Sequence, residues 1–140
     1  ERIRGIVLHD ILSEVKVSSD LKQAVDFMLM QGTITDDEAE IIHPFLTQAL
    51  ESVKARGWFD ENAEIVYNET SLIDTDGQIY RPDRVVICRG KVMIVDYKFG
   101  EHRRQYERQV KRYADIWRRM GYEDVSGYLW YVDASSVVEV

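Results

Sequence analysis

The sequence predicts an α+β (mixed α/β) fold, and three observations carry that expectation. Apolar residues repeat at helical spacing through the first half of the chain. The pattern switches to strand-like alternation near Trp58. One basic helical stripe then separates the later strands. The expected architecture is a mixed sheet around a central β-meander, flanked by helices, with an N-terminal helical part.

The elements follow in order. Ile3, Val7, Leu8, Ile11, Leu12 and Val15 make a first helical stripe, and Leu21, Val25, Met28 and Leu29 a second, closed by Gly32 in the position of a C-terminal cap. Thr35-Asp36-Asp37-Glu38 reads as a capping box. The helix it opens carries Ile41/Ile42, Phe45/Leu46, Ala49/Leu50 and Val53 toward Gly57. Pro44 is expected to kink or divide that helix, because it lacks a donor and crowds the preceding turn. Ala63–Asp74, Gln78–Cys88 and Lys91–Lys98 read as the three strands of the meander, joined by turns at Asp74–Gly77 and Arg89-Gly90. Residues 103–120 are helical, with Tyr106, Val110, Tyr113, Trp117 and Met120 on one stripe. Residues 128–132 and 137–140 close the chain as strands.

The chain's 140 residues suit one domain, 1–140. It opens on Glu1 rather than Met, and a piece of a longer protein is the expectation. No run of about 18 apolar residues occurs, so no membrane-spanning helix is expected, and no n-region with an h-region suggests secretion. Cys88 is the single cysteine, which excludes an internal disulfide or a four-cysteine metal cluster and points to a reducing cytoplasm. The net charge of −7 argues against nucleic acid as a partner. Its distribution argues the other way. Between Lys98 and Arg119 stand eight Lys or Arg residues (Lys98, Arg103, Arg104, Arg108, Lys111, Arg112, Arg118, Arg119) against three acids (Glu101, Glu107, Asp115). This basic window on an acidic remainder suits contact with phosphates, or simply a solvated helix face.

Two aspartates interrupt the most apolar hairpin. A two-residue loop at Arg89-Gly90 puts Asp83 directly opposite Asp96, with Lys98 on the same face. A three-residue loop with a glycine bulge would send the acids to opposite faces. The even loop is preferred because it gives the acids a shared purpose. Facing carboxylates repel, and a hard divalent ion such as Mg²⁺ is commonly held by such a pair. Salt bridges to Arg81, Arg84 or Lys98 are the structural alternative. Glu69 opposes Asp83 if Thr75-Asp76-Gly77 is a three-residue loop, whereas a two-residue loop puts Thr70 there. Gln109 and Tyr113 share a helix face, though Tyr113 also lies on the core stripe. His43 reads as structural and His102 as solvated.

Pro82-Asp83 followed by Asp96-Tyr97-Lys98 resembles the PD-(D/E)XK nuclease superfamily. More of the chain is similar to the RecB/AddA-like C-terminal nuclease domain of UvrD/RecB-type helicase–exonucleases. Gly5 and His9 match its Gly-x-x-x-His motif, Glu69 the acid on the strand before the PD motif, Gln109 and Tyr113 its Gln-x-x-x-Tyr motif, and Leu129-Trp130-Tyr131 its closing strand. The likeness runs from Gly5 to the end of the chain, with no motif between about Ser18 and Trp58.

The resemblance implies a restriction-endonuclease-like core and a Mg²⁺- or Mn²⁺-dependent deoxyribonuclease. Such a module would serve a helicase–nuclease in DNA repair and recombination in the bacterial cytoplasm, at the nucleoid. Its metal ligands would be His9, Asp83, Asp96 and the Tyr97 carbonyl. Glu69 joins Asp83, Asp96 and Lys98 in the catalytic set, and Lys98 would position water and stabilise charge. Gln109 and Tyr113 would support the lysine and the strand, while Arg103, Arg104, Arg108 and Lys111 contact phosphates. An iron–sulfur cluster, found in some members, is not expected with Cys88 alone. The implied partners are a single-stranded DNA end, a helicase domain of the same parent chain and a second subunit. No nucleotide-binding loop is present. Two other readings stand beside this one: an inactive nuclease-fold module that binds DNA or a subunit, and a stand-alone structure-specific or restriction endonuclease.

Overall fold

In a computed structural model of the chain, residues 5–140 are described; Ile3, placed above on the first helical stripe, lies outside them. Two compact units divide at Glu61 and Asn62.

The first unit is helical: α1 (Gly5–Ser13), a 3-10 turn at Ser18–Asp20, α2 (Leu21–Met30), α3 (Asp36–Ser52) and a second 3-10 turn at Lys54–Arg56. The capping box forms as expected. Glu38 N–H donates to Thr35 Oγ1 at 3.1 Å and Thr35 N–H to Glu38 Oε1 at 2.9 Å. Leu8, Ile11, Leu12, Val25, Met28, Ile42, Leu46 and Leu50 are buried, so the stripes face a shared core. Pro44 does not divide α3, which runs through it. Its ring is exposed, so water can serve the carbonyl that lacks an N–H partner. The Thr47 hydroxyl donates to the neighbouring His43 carbonyl, and His43 is half-buried.

The second unit is α+β. Its five-stranded sheet has the order β1 (Ile65–Asn68), β4 (Arg84–Cys88), β5 (Lys91–Lys98), β6 (Asp124–Tyr131), β7 (Ser136–Glu139). Strand β6 runs parallel to β5 and the other pairs are antiparallel. Helix α4 (Arg104–Arg119) is the crossover between the parallel strands.

The meander differs from expectation in one respect. Residues 63–74 and 78–88 are not two continuous strands. Each breaks, and the middle pieces, β2 (Leu72–Ile73) and β3 (Ile79–Tyr80), pair in a separate hairpin. The breaks have local causes. Glu69 takes a left-handed φ of 52°, which ends β1, and Pro82 has no N–H to offer the ladder just before β4.

Helix α4 packs Tyr113, Ala114 and Trp117 onto Val85, Ile87, Val92, Ile94 and Val125 of the sheet. Val110 packs with Leu129 and Tyr131. The closest approach is at Gly127, where an added Cβ would lie 2.5 Å from Val110 Cγ1. Gly127→Ala is therefore expected to destabilise the fold by about 1–3 kcal/mol through overpacking; a thermal melt matching wild type would contradict this contact.

Candidate metal centre

Turn chemistry sets the register. Arg89 and Gly90 both have positive φ, 53° and 78°, the type I′ geometry of a two-residue hairpin. Cys88 faces Lys91 and Arg84 faces Val95, so the next pair is Asp83 with Asp96. Counting from the turn, this falls at a non-hydrogen-bonded position, where facing side chains come closest. On the other side, Leu72 faces Tyr80 and Ile73 faces Ile79, and Asp74 N–H donates to the Gln78 carbonyl at 2.9 Å. Thr75-Asp76-Gly77 is thus the three-residue loop, and Glu69 opposes Asp83, donating its N–H to the Asp83 carbonyl at 3.0 Å.

The two aspartates bond reciprocally to backbone. Asp83 N–H donates to Asp96 Oδ1 at 3.0 Å, and Tyr97 N–H donates to Asp83 Oδ2 at 2.7 Å. Pro82 explains the arrangement. Continued pairing would set it against Tyr97, and without an N–H it cannot serve the Tyr97 carbonyl. That carbonyl points to the same strand edge as the Tyr97 N–H, beyond the last rung of β4. A carboxylate oxygen of Glu69 lies within 4.8 Å of one from Asp83. Carboxylates with a strand carbonyl are hard oxygen donors, the chemistry that Mg²⁺ or Mn²⁺ takes, so these residues fit such an ion.

Lys98 stands beside them. Its Nζ is 3.7 Å from Asp96 Oδ2, 3.5 Å from Gln109 Oε1 and 4.3 Å from the centre of the Tyr106 ring. Gln109 and Tyr106 are three apart on α4, so one helix face holds the ammonium from two sides. Gln109→Ala is expected to free the Lys98 ammonium from one of its two supports; an unchanged Lys98 Nζ signal in NMR would remove Gln109 from this role. Tyr113 is buried in the core, its hydroxyl pushed well above the ordinary range by burial and then by the Asp96 and Asp83 charges.

His9 lies on α1 of the first unit, with Nδ1 3.5 Å from Asp10 Oδ1. Arg103, Arg104, Arg108 and Lys111 are exposed on or beside α4. The remaining helix cations are engaged: Arg112 with Asp76, Arg118 with Asp115 and Arg119 with Asp74. His102 is not simply solvated. Its Nδ1 bonds the Tyr131 hydroxyl and its Nε2 sits 2.8 Å from Glu107 Oε2. No spacing rule links residues 29 apart, so pattern reading missed it. Tyr106 was legible only as a core residue, although it lies one turn before Gln109.

No protein-family model and no curated protein matches this chain. It is similar to the solved structure of SSO0001 at 14% identity and a TM-score of 0.36, over 95% of this chain and 64% of that one. The chain thus spans less than two thirds of that protein's length. Among the described residues no helix is long and apolar enough to cross a membrane.

Proposed function

We propose that the chain is a Mg²⁺- or Mn²⁺-dependent deoxyribonuclease module of the PD-(D/E)XK superfamily, cutting phosphodiester bonds beside a helicase in DNA repair or recombination. One observation carries this reading: Asp83 and Asp96 are latched side by side through each other's strands, with the Lys98 ammonium 3.7 Å from Asp96.

A bound ion would supply Lewis-acid activation of the scissile phosphate and of the attacking water. Asp83, Asp96, Glu69 and the Tyr97 carbonyl would hold it, and by the resemblance His9 joins this set. Lys98 stabilises the charge that builds on the phosphate, and Gln109 and Tyr106 keep it aimed. Arg103, Arg104, Arg108 and Lys111 steer the strand by its backbone without reading bases. Such a module works in the cytoplasm, where the Cys88 thiol stays reduced.

Calorimetry with Mn²⁺ and digestion of end-labelled single-stranded DNA, with and without Mg²⁺, test the proposal. Wild type is expected to bind and to cleave, and Asp83→Asn to do neither. Cleavage that survives EDTA, or metal uptake indifferent to Asp83, would refute it.

A further inference from the structure

Glu69 and Asp83 stand at the neck of an excursion. The chain leaves the sheet after β1, makes the β2–β3 hairpin and returns at β4. That hairpin pairs over only Leu72↔Tyr80 and Ile73↔Ile79, too few rungs to hold itself. Helix α4 holds it instead. Leu72 and Tyr80 pack on the cluster containing Tyr113 and Trp117. At the tip, Arg119 grips Asp74 with two prongs, Nη1 to Oδ1 at 2.9 Å and Nη2 to Oδ2 at 3.0 Å. Arg112 Nη2 reaches Asp76 Oδ2 at 2.9 Å, and its guanidinium lies 5.1 Å from the centre of the Tyr80 ring. Arg112 and Arg119 are two turns apart on one face of α4. The Asp74 side chain is 7% exposed, and its hydrogen bond from Arg119 holds its carboxyl below the ordinary range.

We propose that Arg112 and Arg119 are positioning residues for the candidate metal centre: by gripping the hairpin tip at Asp74 and Asp76 they set the placement of Glu69 and Asp83 at its neck. The link is Glu69 itself. Its φ of 52° is a conformation that a residue other than glycine keeps only when its surroundings over-determine it. With the tip released, Glu69 relaxes toward extended backbone, its N–H leaves the Asp83 carbonyl, and the carboxylate moves from the site. The inference rests on the metal-site reading for its functional meaning, while the clamp itself is tested without metal.

The experiment compares wild type, Arg119→Gln and the charge swap Asp74→Arg/Arg119→Asp. Amide hydrogen exchange at Glu69 is measured in the metal-free protein, Mn²⁺ affinity by calorimetry, and the melting temperature alongside. Arg119→Gln is expected to speed Glu69 exchange about tenfold and to weaken Mn²⁺ binding about tenfold; the swap restores both. Unchanged Glu69 exchange in Arg119→Gln overturns the clamp: packing of Leu72 and Tyr80 then suffices. A fall in affinity that the swap does not restore, and that tracks the melting temperature, overturns the positioning role. If wild type takes up no Mn²⁺, the metal-site reading fails, and Glu69 exchange alone decides the clamp.

Discussion

Asp96→Asn is expected to cut Mg²⁺-dependent cleavage by about 10³-fold or more, near 4 kcal/mol of barrier, with a melting temperature close to wild type. The substitution is chosen for what it keeps. The amide side chain retains an oxygen to accept the Asp83 N–H, which lies 3.0 Å from the carboxylate it replaces, so the latch between strands survives. Its volume is close to that of the aspartate, which is 3% exposed. What it loses is charge, and a neutral amide is a poor partner for a hard divalent ion. Rates on end-labelled single-stranded DNA, read beside thermal melts, decide the matter. Equal rates for the two proteins would end the metal-centre reading.

Lys98→Met gives the second large effect and the opposite binding signature. Methionine keeps most of the aliphatic stem and removes the ammonium 3.7 Å from Asp96 and 4.3 Å from the Tyr106 ring centre. We expect kcat to fall about 10²–10³-fold, the range for losing one group aimed at developing charge. Metal affinity should hold or rise, because a positive charge that repels the ion has gone. The two variants therefore separate holding from chemistry: Asp96→Asn loses both, Lys98→Met only the second. A Lys98→Met protein that cleaves at the wild-type rate would reduce the lysine to a counter-charge for Asp96.

The parts of this structure legible in the sequence are those governed by local rules. Turn chemistry at Arg89-Gly90 and at Thr75–Gly77 narrowed each register to two choices, and the structure takes those that face Asp83 with Asp96 and Glu69 with Asp83, because a hairpin's loop length dictates which residues face. Helical spacing put Gln109 and Tyr113 on one helix face, and only the resemblance linked Gln109 to Lys98. The β2–β3 hairpin was not legible: its strands are two residues long, and the left-handed Glu69 that ends β1 is a residue type with no turn preference. Nor were the pairings of Arg119 with Asp74, 45 residues away, and of Arg112 with Asp76, 36 away. Charges leave no period in a sequence, so the arginines of α4 read as one basic face when three are already engaged with acids.

Pro82 acts as the stop on a zipper. Given an N–H at that position, β4 and β5 could close one more rung. The sheet would be longer and the hairpin stiffer, and the acids would sit inside a finished ladder. The proline keeps the seam open by one residue, and the chemistry proposed for this protein lies in that gap.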